Sequence, residues 1–72
     1  MSRLPSWPYR DVVSALENGG YFVVRQKGSH IRMMHKSKYP ITVPAHNPVA
    51  RGTLRKILRD ADISVEEFID LL

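Results

Sequence analysis

Three histidines, at positions 30, 35 and 46, are the side chains in this sequence best suited to moving protons near neutral pH. His30 closes the string Arg25-Gln26-Lys27-Gly28-Ser29-His30, and Arg32 follows it. An imidazole between cations, beside a glycine that lets another backbone come close, has the parts needed to hold a phosphate and move a proton next to it. Those parts fit the cleavage of RNA. The RNA 2′-hydroxyl is an internal nucleophile, so a catalyst need only hold the strand in line, shift protons and neutralise the charge that develops on phosphorus. DNA lacks that hydroxyl and is not cut by this route. His30 is therefore the candidate general acid or base. Lys27 and Arg32 are candidates for holding the strand and stabilising the transition state. Gly28 is a candidate for close backbone approach, and Ser29 offers a hydroxyl or a backbone N–H.

His46, in Val43-Pro44-Ala45-His46-Asn47-Pro48, is a secondary candidate, placed just after a predicted strand. His35 reads as structural or as a strand-end residue. A metal site is not expected: the chain has no cysteine, and no carboxylate lies between residues 18 and 59. No cofactor is expected either. Ser29 has no acid near it in sequence and no nucleophile-elbow pattern, which argues against a serine triad. The Tyr21-Phe22 and Met33-Met34 pairs read as core rather than as base-stacking platforms, with Tyr39 a weak stacking candidate.

The charge pattern supports a polyanionic partner. Residues 25–59 carry nine Lys and Arg and no acid, whereas residues 60–72 carry five Asp and Glu and no base. Arg55, Lys56 and Arg59 can extend a phosphate track. The acidic tail either packs on the basic surface or serves another partner. With 72 residues and 43% hydrophobic composition, one small globular domain over 1–72 is expected. No apolar run of about 18 residues predicts a membrane span, and the opening Met1-Ser2-Arg3-Leu4-Pro5 lacks the apolar stretch of a secretory signal. The lack of cysteine fits a reducing cytoplasm.

The elements that must position these residues follow from local pattern. Pro8 fits a first helical turn, Val12, Val13 and Leu16 recur at helical spacing, and Asn18-Gly19-Gly20 stops the helix, giving about 8–18. Three short antiparallel strands are predicted over about 21–44. In the second, Ile31 and Met33 share one face, while His30, Arg32 and Met34 share the other. In the third, Ile41 and Val43 point the same way. Leu54, Ile57, Leu58 and Ala61 make the stripe of a helix over about 53–61, with Thr53 as its N-cap. Ser64-Val65-Glu66-Glu67 is a capping box opening a short helix over about 65–71, with Ile63 stapled onto Phe68. The order α-β-β-β-α with a short C-terminal helix predicts an α+β two-layer sandwich. One sheet face is left open, with His30 and Arg32 on it.

The sequence resembles the HicA family of toxin–antitoxin mRNA interferases. The resemblance rests on Arg25-Gln26-Lys27-Gly28-Ser29-His30, on Val43-Pro44-Ala45-His46, and on Gly52-Thr53-Leu54-Arg55-Lys56-Ile57-Leu58, in that order. Leu4-Pro5, Arg10-Asp11-Val12-Val13-Ser14-Ala15-Leu16 and Ala61-Asp62-Ile63-Ser64 add to it. It implies a double-stranded-RNA-binding-domain-like fold and a metal-independent endoribonuclease acting on mRNA. His30 would be its catalytic residue, and a HicB-type antitoxin its partner. Two positions depart from the family pattern. Asp62 stands where glycine is common, and Pro8-Tyr9 replaces a Ser-Gly pair. The same basic face would also serve a non-catalytic double-stranded-RNA-binding module, which would tolerate His30→Ala. A DNA-binding regulator fits less well, because no helix-turn-helix pattern precedes the basic helix.

Overall fold

Three strands, Phe22–Lys27 (β1), His30–Met34 (β2) and Ile41–Pro44 (β3), form an antiparallel sheet in the order β1-β2-β3 in the computed structural model, which describes residues 6–72. Helices Tyr9–Asn18 (α1), Arg51–Asp60 (α2) and Val65–Leu71 (α3) complete it. This is the α+β arrangement that the sequence pattern predicts, and it fits the double-stranded-RNA-binding-domain-like fold that the resemblance implies. Leu4-Pro5 lies outside the described residues.

Alternation in β2 and β3 decides which sheet face is covered. Ile31, Met33, Ile41 and Val43 are buried, while His30, Arg32 and Met34 are exposed. Val12, Ala15 and Leu16 of α1, Leu54, Ile57 and Leu58 of α2, and Phe68 of α3 join the same core. Both α1 and α2 pack against β3. β1 therefore projects beyond their cover, and all six of its residues are exposed. This corrects the reading of the two hydrophobic pairs as core. Tyr21 and Met33 are buried, but Phe22 and Met34 are exposed. Among the described residues no polar or charged side chain is buried.

Each helix end has an identifiable cause. Gly20 has φ +100°, and Tyr21 N–H donates to Leu16 O while Gly20 N–H donates to Glu17 O. This is a Schellman stop, with Gly20 rather than Gly19 in the left-handed position. The end of α2 repeats it. Ile63 N–H donates to Leu58 O, Asp62 N–H donates to Arg59 O, and Asp62 takes φ +55°. Asp62 thus fills the glycine position of the family pattern in the conformation glycine would adopt.

Two expected helix starts are corrected. Pro8 is not in the first turn of α1; it precedes the helix in an extended conformation. Asn47 Oδ1 caps that end from a distance by accepting the Tyr9 N–H at 3.0 Å. Thr53 does not cap α2. Ala50 precedes the helix, extended, and its carbonyl accepts Leu54 N–H, which starts the helix two residues earlier. The pairing of Val49 with Trp7 fixes where the chain turns into that helix. The capping box at Ser64 forms as predicted, with Glu67 N–H donating to Ser64 Oγ and Ser64 N–H donating to Glu67 Oε1, both at 3.1 Å.

Candidate functional site

The hairpin joining β1 and β2 sets the site. Its loop is Gly28-Ser29, flanked by the pair Lys27 and His30. Gly28 has φ +57°, and Ser29 does not share a positive φ, the pattern of a type II′ turn. A Cβ at Gly28 would meet nothing within 4 Å, so backbone conformation and not crowding calls for glycine there. The turn is tied to the far side of the sheet, where Ala45 N–H donates to Ser29 O at 2.7 Å.

A two-residue turn also fixes parity. Lys27 faces His30, Gln26 faces Ile31 and Arg25 faces Arg32. Arg25 and Lys27 therefore share the uncovered face with His30 and Arg32, and Thr42 joins them from β3 opposite Arg32. These five residues line an open hollow of about 420 Å³. Arg32 Nη1 donates to Thr42 Oγ1 at 3.1 Å, which steadies the guanidinium across the face. The His30 ring has no hydrogen-bond partner among the described residues. The only ion pair among them is Lys56 with Asp60, at 2.8 Å. Arg25, Lys27 and Arg32 are thus without carboxylate partners and present their charge to solvent. Three such cations can hold a phosphodiester while the free imidazole beside them moves a proton at a neighbouring oxygen.

The other predicted residues fall at different places. Arg32 and Thr42 also border a second hollow, of about 240 Å³, whose far wall includes Thr53, Lys56 and Asp60. Lys56 is therefore next to the site, with its charge partly answered by Asp60. The Lys56 ammonium, through its hydrogen bond, holds the Asp60 carboxyl below its ordinary pKa. Arg55 and Arg59 are exposed on α2 and line neither hollow. Ser29 is half-buried in the turn. His46 is exposed, two residues past Pro44, the partner of His30, and it does not line the hollow. Its loop is held by the Ala45 bond, by Asn47 and by Val49 N–H donating to Trp7 O at 2.7 Å.

His35 has a different setting. Its Nδ1 accepts Ser37 N–H at 3.0 Å, so Nε2 is the protonated nitrogen and donates to Gly19 O at 3.2 Å. The ring packs edge-on against Tyr21, with centroids 4.9 Å apart. Tyr21 donates its hydroxyl to Tyr39 O, which leaves Tyr39 at the opposite end of β2 from His30. The acidic tail lies at that end too. Asn18 Nδ2 donates to Leu71 O, and Lys38 Nζ reaches Asp62 O at 3.4 Å. α3 packs on α1, so the tail does not cover the basic face.

Two site residues were absent from the sequence reading, Arg25 and Thr42. Both were within reach of counting. The two-residue turn sets Arg25 opposite Arg32, and Thr42 is the polar residue between inward-facing Ile41 and Val43. Among the described residues no three His, Asp or Glu side chains gather as metal ligands, and no described helix is long and apolar enough to cross a membrane.

Residues 9–63 match the family model described as HicA toxin of bacterial toxin-antitoxin. The span runs from the first residue of α1 to the residue that closes the α2 stop, and it includes the whole hairpin and its hollow. Among curated proteins none matches the chain.

Proposed function

The chain belongs to the HicA family of toxins of bacterial toxin–antitoxin systems, and from that premise we propose that it is an endoribonuclease that cleaves mRNA at the His30 hollow. The observation that carries this reading is the uncovered sheet face on which His30 lies among Arg25, Lys27 and Arg32, with no carboxylate opposing them.

The phosphodiester sits across the three cations. The 2′-oxygen attacks phosphorus and the bond to the 5′-oxygen breaks. One proton leaves the 2′-hydroxyl and one reaches the 5′-oxygen, with His30 as the acid/base group in contact with the reacting atoms. Arg25, Lys27 and Arg32 stabilise the charge gathering on the phosphorane oxygens. Gly28 and the half-buried Ser29 let the RNA backbone approach the turn. Lys56, and more remotely Arg55 and Arg59, continue the positive track beyond Arg32. His46 is the second candidate for proton transfer. The protein partner is a HicB-type antitoxin that covers the hairpin, and the site of action is the cytoplasm.

Induced expression of the wild type and of His30→Ala, with mRNA integrity followed over time, tests the reading. Wild type should arrest growth and degrade mRNA while an equally abundant, folded His30→Ala does neither. Fragments should end in 2′,3′-cyclic phosphate and begin with 5′-hydroxyl. Fragments beginning with 5′-phosphate would overturn the mechanism. If both proteins degrade mRNA alike, the role passes from His30 to His46.

A further inference from the structure

The open sheet face is built in three rungs, and only two are basic. The turn rung holds Lys27, His30 and Pro44. The middle rung holds Arg25, Arg32 and Thr42. The third holds Phe22 and Met34. Phe22 is 50% exposed and Met34 40%. No described helix covers them, because α1 and α2 lie against the other face. The third rung is four residues along β2 from His30, roughly 14 Å.

The placement of Phe22 depends on an irregularity. Pairing from the turn would bring Val23 to the open face and send Phe22 towards the helices. Between Val23 and Arg25 the register shifts, so that Val24 is an extra residue in β1. Val23 then pairs with Met33 on the covered side, and Phe22 pairs with Met34 on the His30 side. Bulges commonly re-aim a side chain beside a functional site. Here the bulge sets an aromatic ring on the His30 face, where regular pairing would have set it on the helix side.

We propose that Phe22, flanked by Met34, is a stacking platform for an unpaired nucleobase of the RNA whose phosphates lie on Arg25, Lys27 and Arg32. The inference rests on the ribonuclease reading and specifies its substrate as single-stranded at that position. The cations fix the backbone along two rungs, and a base a short way along the strand comes over the third. A flat π-surface in line with unopposed cations is the combination that proteins use to bind single strands. Charge complementarity favours RNA as the occupant: no acid stands on this face. A base held in a duplex cannot stack on the ring, so duplex RNA gains nothing from Phe22.

The test uses the His30→Ala protein, which on the ribonuclease reading should bind without cutting, and a labelled single-stranded oligoribonucleotide read by fluorescence anisotropy. Adding Phe22→Ala or Phe22→Leu should weaken binding roughly 5- to 100-fold, and Phe22→Tyr should retain it. A ribose-phosphate strand lacking bases, and a duplex of the same sequence, should bind all four proteins alike. Phe22 is exposed, and melting curves confirm that each variant is folded. Leu binding as well as Phe would overturn the proposal. So would Ala leaving RNA binding intact while weakening the hold of an antitoxin, which would reassign the rung to a protein partner, or an absence of any RNA binding. If the wild type binds RNA through Phe22 but never cuts it, the ribonuclease reading fails and the platform stands. If it cuts RNA, and the same Phe22 substitutions made with His30 intact leave cutting unchanged while those in His30→Ala leave binding unchanged, the platform fails and the ribonuclease reading stands.

Discussion

The two ends of β2 each present a histidine, and the fold treats them in opposite ways. His30 follows a tight turn, faces solvent among cations without acid partners, and has no hydrogen-bond partner among the described residues. His35 follows the other end, packs on Tyr21, accepts from Ser37 and donates to Gly19. One ring keeps both nitrogens available for a ligand, and the other has committed both to holding the chain. The residue type is the same, so the difference lies in which backbone groups come within reach. His30 stands on the sheet face turned away from α1 and α2, whereas His35 stands where the Gly19 carbonyl of the α1 stop and the Ser37 N–H come within reach of its ring.

The comparison can be broken most directly at His30. His30→Ala should lower RNA cleavage by about 10²- to 10⁴-fold, the usual worth of an acid/base group. Its melting temperature should match the wild type. A variant that cuts normally, or one that melts much earlier, would erase the contrast.

Gly20→Ala probes the opposite end. A Cβ there would lie 2.8 Å from His35 Nε2, at a φ of +100°. Denaturant unfolding should show a loss of about 2 kcal/mol, combining left-handed strain with displacement of the ring. The same substitution made in His35→Ala should cost less. Equal costs in both backgrounds would mean that the ring is not what the methyl meets.

His35→Ala alone should remove about 1–2 kcal/mol of stability through its two ring hydrogen bonds and leave the RNA cleavage rate per folded molecule unchanged. A cleavage defect in folded protein would place His35 with His30 after all. Asp62→Gly should move stability the other way, by about 0.5 kcal/mol, since it relieves left-handed strain but frees the unfolded chain. Calorimetry showing a loss would mean that the Asp62 side chain matters more than its backbone.

The smallest effect is at Glu67. Hydrogen bonds from the Ser64 backbone and hydroxyl hold its carboxyl below the ordinary glutamate pKa. A depressed folded-state pKa gives stability that is present above the unfolded value and lost as pH falls through the folded one. Wild type should therefore weaken on acidification below the ordinary glutamate range slightly more than Glu67→Gln. Parallel pH–stability curves would remove this contribution.

The sequence made much of the covered layer legible. Alternation in His30–Met34 and Ile41–Pro44 fixes which residues point inward, because a half-buried strand has only two faces. The stripe Leu54, Ile57, Leu58 and Ala61 and the capping box at Ser64 are local patterns with local causes. What escaped is non-local. Thr53 lost the cap position because the Trp7–Val49 pairing starts α2 earlier. Phe22 is open because the helices lean on β3 and because Val24 is surplus to the pairing with β2, and no glycine marks that bulge. Of the site, the Gly28-Ser29-His30 turn and Arg32 are readable directly, and Arg25 and Thr42 by register. The geometry draws Lys56 near the hollow but leaves Arg55, Arg59 and His46 off its walls.

No described polar side chain is buried, and every group that lines the hollow is already at the surface. For the ribonuclease proposed here, this has a consequence for timing. An inhibitor has only to shade the face; it need not pry anything open or hold anything shut. When it leaves, nothing has to be rebuilt, and the onset of cleavage should keep pace with dissociation in a rapid-mixing experiment. A lag between the two would point to a hidden rearrangement. Without one, the protein keeps no record of having been silenced.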